Sequence, residues 1–305
     1  METLRTRASI VKTIRCFFDK RGFFEVETPL LSHDIVIDQH LHPIQVDKQA
    51  VTASTEDSGE SMWLQTSPEF AMKRLLTSGA QSIYQICKAF RQGEAGRFHN
   101  PEFTMLEWYR VGDDYLAGMD LLDEFIQTIL DTPPAIRMTY RDAFVEFAGI
   151  EPFRSRQTTL AAAAGADVEE PRDELLNLIL SSQVEPKLGL SGVPVILYDY
   201  PASQAALAKV REEEYSIAER FEVYLNGVEL ANGYHELTDA DELRRRGSQA
   251  NQCRVQDGKC ALPEESRLLT AMDHGLPSCS GTAVGVDRLV MLATKNESIE
   301  GVIPF

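Results

Sequence analysis

The stretch Arg220-Phe221-Glu222-Val223-Tyr224-Leu225-Asn226-Gly227-Val228-Glu229-Leu230-Ala231-Asn232-Gly233-Tyr234-His235-Glu236 decides the fold class. Asn226-Gly227 between two alternating runs is the strongest short signal for a two-residue hairpin, because both turn residues must take positive φ. If Leu225 pairs with Val228, Tyr224 faces Glu229, and Glu222 and Glu229 become diagonal neighbours with Cβ atoms roughly 7 Å apart or less. Two such carboxylates can share a divalent cation, and Mg²⁺ is usually held by a few carboxylates plus phosphate oxygens. On an isolated hairpin, two solvated glutamates are the plainer reading. Asn232, Tyr234 and Glu236 share a face with one another, but strict alternation sets them opposite Glu229. All of them line one face only if the strand slips by one residue near Ala231 to Gly233, where Gly233 makes a β-bulge plausible.

Working outward, Ile83 to Phe90 and Phe103 to Arg110 are rich in aromatic and β-branched residues and flank the Gly-containing stretch Gln92 to Pro101. That pattern fits a second hairpin with a long loop. Alternation puts Phe103, Met105, Glu107 and Tyr109 on one face, so Glu107 is either an ordinary exposed glutamate or a buried one that must be paired. Leu4, Ala8, Val11, Ile14 and Phe18 recur at helical spacing before Gly22, Phe23 to Thr28 reads as a strand closed by Pro29, and Pro68 to Leu76 and Tyr115 to Leu130 read as helices. Residues 52–61 read as an exposed loop. Tyr140 to about Pro186 is alanine-rich and helical, with Pro171 placed at a helix start; it carries little chemistry and suits an insertion at about 140–190. Val193 to Tyr198 is strand-like. Hairpins near both ends, without regular β-α-β alternation, argue for an α+β fold, an antiparallel sheet flanked by helices.

The chain has 305 residues, 43% of them hydrophobic, enough for a substantial core. A formal charge of −17 repels a phosphate backbone and disfavours nonspecific nucleic-acid binding. Arg244-Arg245-Arg246 reads more readily as a solvated helix face than as a basic patch. Five cysteines without a C-x-x-C pair fit a reducing compartment, and no stretch suits a signal peptide or membrane span, so a cytoplasmic protein is expected.

A third block, Ser280-Gly281-Thr282-Ala283-Val284-Gly285-Val286-Asp287-Arg288-Leu289, leads small residues into an apolar helix with an arginine at its start. Small side chains let a ligand approach the backbone, and the arginine can meet a phosphate or stack on a base. With Arg21 to Pro29, Phe90 to Tyr109 and Thr66-Ser67-Pro68-Glu69, the chain resembles the class II aminoacyl-tRNA synthetases, motif by motif and in order. Within them it resembles the lysine branch, and most closely the elongation factor P lysine ligases, through His99 to Arg110 and Tyr200 to Ala205.

That resemblance implies a single class II catalytic domain over 1–305. No anticodon-binding domain is expected, because motif 1 begins almost at the first residue. It implies ATP and Mg²⁺ as cofactors, lysine or (R)-β-lysine as substrate, elongation factor P as acceptor in place of tRNA, and a homodimer joined through motif 1. Arg91 and Arg288 become the catalytic pair: Arg91 on the α-phosphate and the substrate carboxylate, Arg288 on the γ-phosphate and, with Phe103, on the adenine. Gly93, Glu94, His99, Asn100, Glu229, Leu230 and Gly285 complete the ATP site, and Glu222 with Glu229 would hold the metal. Ser67, Pro68, Glu69, Glu107, Tyr109, Asn232, Glu236 and Ala283 line the amino-acid pocket, where carboxylates suit a substrate with two ammonium groups. Two positions depart from the synthetase pattern. Gly93 stands where motif 2 commonly has glutamate, leaving the adenine contact to Glu94 or to backbone. Ala283 stands where motif 3 usually has glycine, as in the elongation factor ligases. A minimal lysyl-tRNA synthetase and a non-catalytic regulatory relative are the alternative readings.

Overall fold

The computed structural model describes residues 1–47 and 61–303; the expected loop over 52–61 lies outside the described residues except for Ser61. In chain order come α1 (Glu2–Asp19), β1 (Phe24–Glu25), β2 (Leu31–Ser32), β3 (Gln45–Val46), β4 (Met62–Leu64), α2 (Glu69–Thr77), β5 (Ser82–Phe90), β6 (Glu102–Val111), α3 (Tyr115–Leu130) and β7 (Ile136–Thr139). Helices α4 (Tyr140–Ala148), α5 (Gln157–Ala164) and α6 (Arg172–Ile179) follow, then β8 (Val195–Pro201), β9 (Val210–Glu212), β10 (Ser216–Leu225) and β11 (Val228–His235). The chain closes with α7 (Ala240–Gln256), α8 (Arg267–Met272), β12 (Cys279–Gly285) and α9 (Val286–Ala293). It divides into two compact units, one of Met1–Gly112, Thr238–Cys279 and Ala283–Phe305, the other of Asp113–Leu237 with Ser280–Thr282.

In the first unit, α1 buries Ile10, Ile14, Phe17 and Phe18, a helical stripe, and the chain turns at Gly22 with φ +76°. Phe18 stacks on Tyr84 at 4.7 Å and leans on Trp108 at 5.1 Å, so the far face of β5 and β6 is aromatic core. Strands β5 and β6 pair antiparallel without interruption from Ser82↔Arg110 to Phe90↔Glu102. The strand expected over 23–28 contracts to two residues, which pair in parallel with β5. The three arginines of α7 form a helix face compensated by acids: Arg245 and Arg246 meet Glu242 at 2.7 Å, and Arg244 meets Asp273 at 2.8 Å. Hydrogen bonds from Arg245, with Arg246 adding to them, hold the Glu242 carboxyl down at about 2.

In the second unit the strand order is β11-β10-β8-β7, with β9 on β10. Strand β7 escaped the sequence reading because it is four residues long, contains Arg137 and runs parallel to β8 across the helical segment. With β1 on β5 it makes the pairing mixed, a refinement of the antiparallel expectation. Thr139 caps α4 by accepting from the Asp142 N–H, and Gly149 ends it at φ +68°. Tyr140, Phe144, Leu160, Leu175, Leu176 and Ile179 then pack with Tyr200 and Tyr224, so α4 to α6 share one hydrophobic core with β8 and β10. Among the described residues no helix is long and apolar enough to cross a membrane, and all five cysteines are free.

Candidate active site

The unbroken β5–β6 ladder sets Ala89 opposite Phe103, Cys87 opposite Met105, Gln85 opposite Glu107 and Ile83 opposite Tyr109, all on one face. Glu107 is 2% exposed, and Tyr109 Oη donates to its Oε2 at 2.8 Å. The alternative of an ordinary exposed glutamate is thereby removed. An acid in this position lowers its cost by hydrogen bonding and suits a cationic partner.

The loop between these strands gathers the nucleotide residues expected from the first unit. Arg91 closes the ladder through its N–H to Pro101, donates from Nε to the Thr66 carbonyl at 3.3 Å, and lies 5.1 Å from the Phe103 ring centroid. Glu94 stands 3.7 Å from Arg91, and Gly93 turns at φ +83°. Arg288, in the first turn of α9, donates to the Phe98 carbonyl at 3.2 Å and to His99 Nε2 at 2.8 Å. Burial, and after it the Arg288 charge, lowers the His99 pKa, which keeps the ring a neutral acceptor. Asn100 donates to the Glu102 carbonyl at 2.6 Å and shapes the loop's exit.

Two groups of this unit went unnoticed in the sequence. Asp287, 3% exposed, accepts from Arg7 at 2.5 Å and from the Thr104 N–H at 2.6 Å, so it staples the start of α9 to α1 and β6 beside Arg288. Lys73, 2% exposed, holds Glu69 Oε1 at 2.5 Å one helical turn on, while the Ser67 hydroxyl accepts from the Glu69 N–H at 3.4 Å beside Pro68, the N-cap of α2. Its i,i+4 spacing from Glu69 was the available signal.

In the second unit the turn is as the sequence implied, with Asn226 at φ +54°, Gly227 at φ +72°, and Leu225↔Val228 and Tyr224↔Glu229 as pairs. The slip exists but lies earlier than expected. Tyr224 pairs with Glu229 and Val223 with Ala231, so Leu230 is the extra residue. Gly233 serves another need: a Cβ there would sit 2.4 Å from the Phe221 ring and 2.8 Å from Thr282 Oγ1. The bulge turns Glu229, Asn232 and Tyr234 to the face of Glu222, and continued alternation carries Glu236, 1% exposed, with them. Asn232 donates to Tyr234 Oη at 2.8 Å, and its buried Oδ1 has no hydrogen-bond partner among the described residues.

Glu222 accepts three side-chain hydrogen bonds. Its Oε1 accepts from Arg220 at 2.5 Å, and its Oε2 accepts from Tyr200 at 2.5 Å and from Tyr224. Arg220 also lies 4.6 Å over the Tyr200 ring and donates to the Gln204 carbonyl at 2.8 Å. Burial, then the Glu222 charge, lifts both tyrosine hydroxyls far above their ordinary range, so they stay protonated donors. A carboxylate offers about four lone-pair sites; three bonds leave Glu222 room for one more ligand, and Glu229 is half-buried on the same face. Oxygen donors of this kind fit Mg²⁺. Among the described residues no group of three or more His, Cys, Asp or Glu is placed to hold a metal, so a cation here would depend on further oxygens from a nucleotide. Arg220, two positions from Glu222 on the same strand face, is a partner of that acid which the sequence reading passed over.

Comparison with known proteins gives the family. The family model of the tRNA synthetases class II (D, K and N) matches residues 1–305. The chain is 46% identical over 312 residues to the elongation factor P–(R)-β-lysine ligase of Vibrio parahaemolyticus, covering 100% of this chain and 95% of the relative. It is 45% identical to the Vibrio atlanticus protein of the same name, with the same coverage, and 46% identical over 309 residues to that of Edwardsiella ictaluri, covering 99% and 94%. The chain belongs to the class II tRNA synthetase family of the D, K and N type.

Proposed function

We propose that the protein is an ATP-dependent ligase that activates (R)-β-lysine as its adenylate and transfers it to a lysine side chain of elongation factor P. The observation that carries this reading is full-length identity of 45–46% to relatives bearing that name, joined to buried acids in both units at positions that the resemblance assigns to the amino acid. In the first step the substrate carboxylate attacks the α-phosphorus, the bond to the bridging oxygen breaks, and pyrophosphate leaves. No general base is required, because the carboxylate is already ionised. In the second step the neutral amine of the target lysine attacks the adenylate carbonyl, an amide forms and AMP departs.

Within the first unit, Arg91 neutralises the α-phosphate and orients the carboxylate, while Phe103 and Arg288 take the two faces of the adenine, with Arg288 also meeting the γ-phosphate. Gly93, Glu94, His99, Asn100 and Gly285 shape that nucleotide site. Ser67, Pro68, Glu69, Glu107, Tyr109 and Ala283 receive the amino acid. Within the second unit, Glu229 and Leu230 serve ATP, Asn232 and Glu236 serve the amino acid, and Glu222 and Glu229 hold Mg²⁺, which when bound offsets phosphate charge. Rate enhancement comes from positioning and charge neutralisation. We place the enzyme in the cytoplasm as a homodimer, a reading that rests on the resemblance to the class.

ATP–pyrophosphate exchange with (R)-β-lysine and α-lysine, followed by transfer assays to elongation factor P and to tRNA, tests the proposal. Exchange with (R)-β-lysine and labelling of the protein acceptor are expected. Absence of exchange with any diamino acid overturns the enzyme assignment, and preferential charging of tRNA overturns the acceptor.

A further inference from the structure

One buried polar group of the first unit has no role in this scheme. Gln85 is 2% exposed, and its Oε1 has no hydrogen-bond partner among the described residues. A buried acceptor left without a donor costs about 1–3 kcal/mol, so a fold keeps one only where something else supplies the donor. The β5–β6 register sets Gln85 directly opposite Glu107, which puts the two side chains on one face with Cβ atoms about 4.5–5.5 Å apart. Tyr109 already fills one position on Glu107 at 2.8 Å. The Cys87 thiol two residues on along the same face has its pKa pushed up to about 12 by burial and then by the Glu107 charge. Cys87 therefore stays a neutral thiol, and Glu107 supplies the negative field of this wall.

A carboxylate and a neutral carbonyl oxygen side by side form a site for a group with several N–H donors and one positive charge, which describes an alkylammonium. A second carboxylate in place of Gln85 would repel Glu107 across the strand pair when the site is empty. An amide adds the acceptor without that repulsion. The position also indicates which ammonium. Arg91, the proposed carboxylate ligand, follows the last residue of β5, six residues on from Gln85, roughly 20 Å between Cα atoms at about 3.3 Å per residue. Gln85 thus stands at the end of the amino-acid site remote from the reacting carboxyl.

We infer that Gln85 is a substrate-binding residue that accepts a hydrogen bond from the distal ammonium of the diamino acid, beside Glu107, and so sets selectivity for a terminal amine. The inference rests on the adenylating function proposed above. It is tested by exchange kinetics of wild type and Gln85→Met with (R)-β-lysine and with 3-aminohexanoic acid of matching configuration, which lacks only the distal amine. A lost hydrogen bond to a charged group predicts that the kcat/KM preference for the diamine falls roughly 10- to 100-fold, through KM for the amino acid, with KM for ATP unchanged. An unchanged preference overturns the assignment. Should Gln85→Met not fold, Gln85→Glu answers instead: its new carboxylate shares a face with Glu107, Tyr109 and Cys87, titrates at a raised pKa, and makes KM for the diamine fall with rising pH more steeply than in wild type. A pH dependence equal to wild type overturns the assignment. Failure of wild type to exchange with any diamino acid strikes the proposed function, whereas wild-type exchange with an indifferent Gln85 strikes this inference alone.

Discussion

The two hairpins that carry the acids solve the same problem in different ways. Strands β5 and β6 keep a strict alternation over every pair from Ser82 to Phe90, and Glu107 reaches the site face by parity alone. Strands β10 and β11 break parity at Leu230, and without that break Glu229 and the trio Asn232, Tyr234 and Glu236 would face opposite ways. The acids are also held differently. Glu107 receives a tyrosine hydroxyl, whereas Glu222 receives an arginine and two tyrosines. A regular ladder can present functional groups cheaply where spacing of two suffices; a bulge allows adjacent segments of one strand to contribute to the same face at the cost of one unpaired residue.

The sharpest way to break the contrast is to delete Leu230. Removing the extra residue makes the ladder regular while Asn232, Tyr234 and Glu236 keep the face of Glu222 and Glu229, so that both hairpins then present their groups by parity alone. Pyrophosphate exchange is expected to persist, with a thermal melt lowered by the loss of the buried Leu230 side chain. The equivalent deletion has no counterpart in β5–β6, which has no residue to spare. Loss of exchange in a folded variant would show that the bulge does more than correct parity.

Next in size is Arg220→Met. It leaves Glu222, 4% exposed, with its two tyrosines and no cation, and breaking a buried ion pair from one side costs about 3–5 kcal/mol. Urea unfolding should register that loss. Tyr109→Phe is the matching change in the other hairpin. Removing one donor from a charged, buried acceptor costs about 1.5–3 kcal/mol, and because Glu107 makes further interactions the low end is expected. Equal losses in the two variants would mean that the difference in bonding between the hairpins carries no energetic weight.

Much of this was legible because it is local. The Asn226-Gly227 turn, the parity of Glu107 and the bounds of α3 follow from spacing within a dozen residues, and the structure reproduces them. The displaced bulge was not legible, since Gly233 marks a close approach to Phe221 and Thr282 that only packing reveals. The partners that fix the site residues were hidden by sequence distance: Tyr200 lies 22 positions from Glu222, and Arg7 lies 280 from Asp287. Gln85 was hidden differently. It sits inside an apolar run, and its chemistry emerges only when the register names Glu107 as its neighbour. Periodicity thus shows which face a side chain takes, while the donors that make the face functional come from elsewhere in the chain.

The smallest expected effect lies in the loop of the regular hairpin and concerns pH. His99 must present a lone pair at Nε2 to accept from Arg288, so only its neutral form supports that contact. Its folded pKa is lowered from 6.5, first by burial and then by Arg288, while Glu94 opposes the shift. The stability it contributes is therefore present above the unfolded value and is lost as pH falls through the folded one. Across the same window the protonated ring repels Arg288 and weakens the nucleotide site. KM for ATP in wild type should rise several-fold between about pH 7 and 5.5, the scale of one modest hydrogen bond. In His99→Gln, whose amide oxygen accepts without titrating, that acid limb should flatten. An acid limb that persists in His99→Gln would place the sensitive group outside this loop.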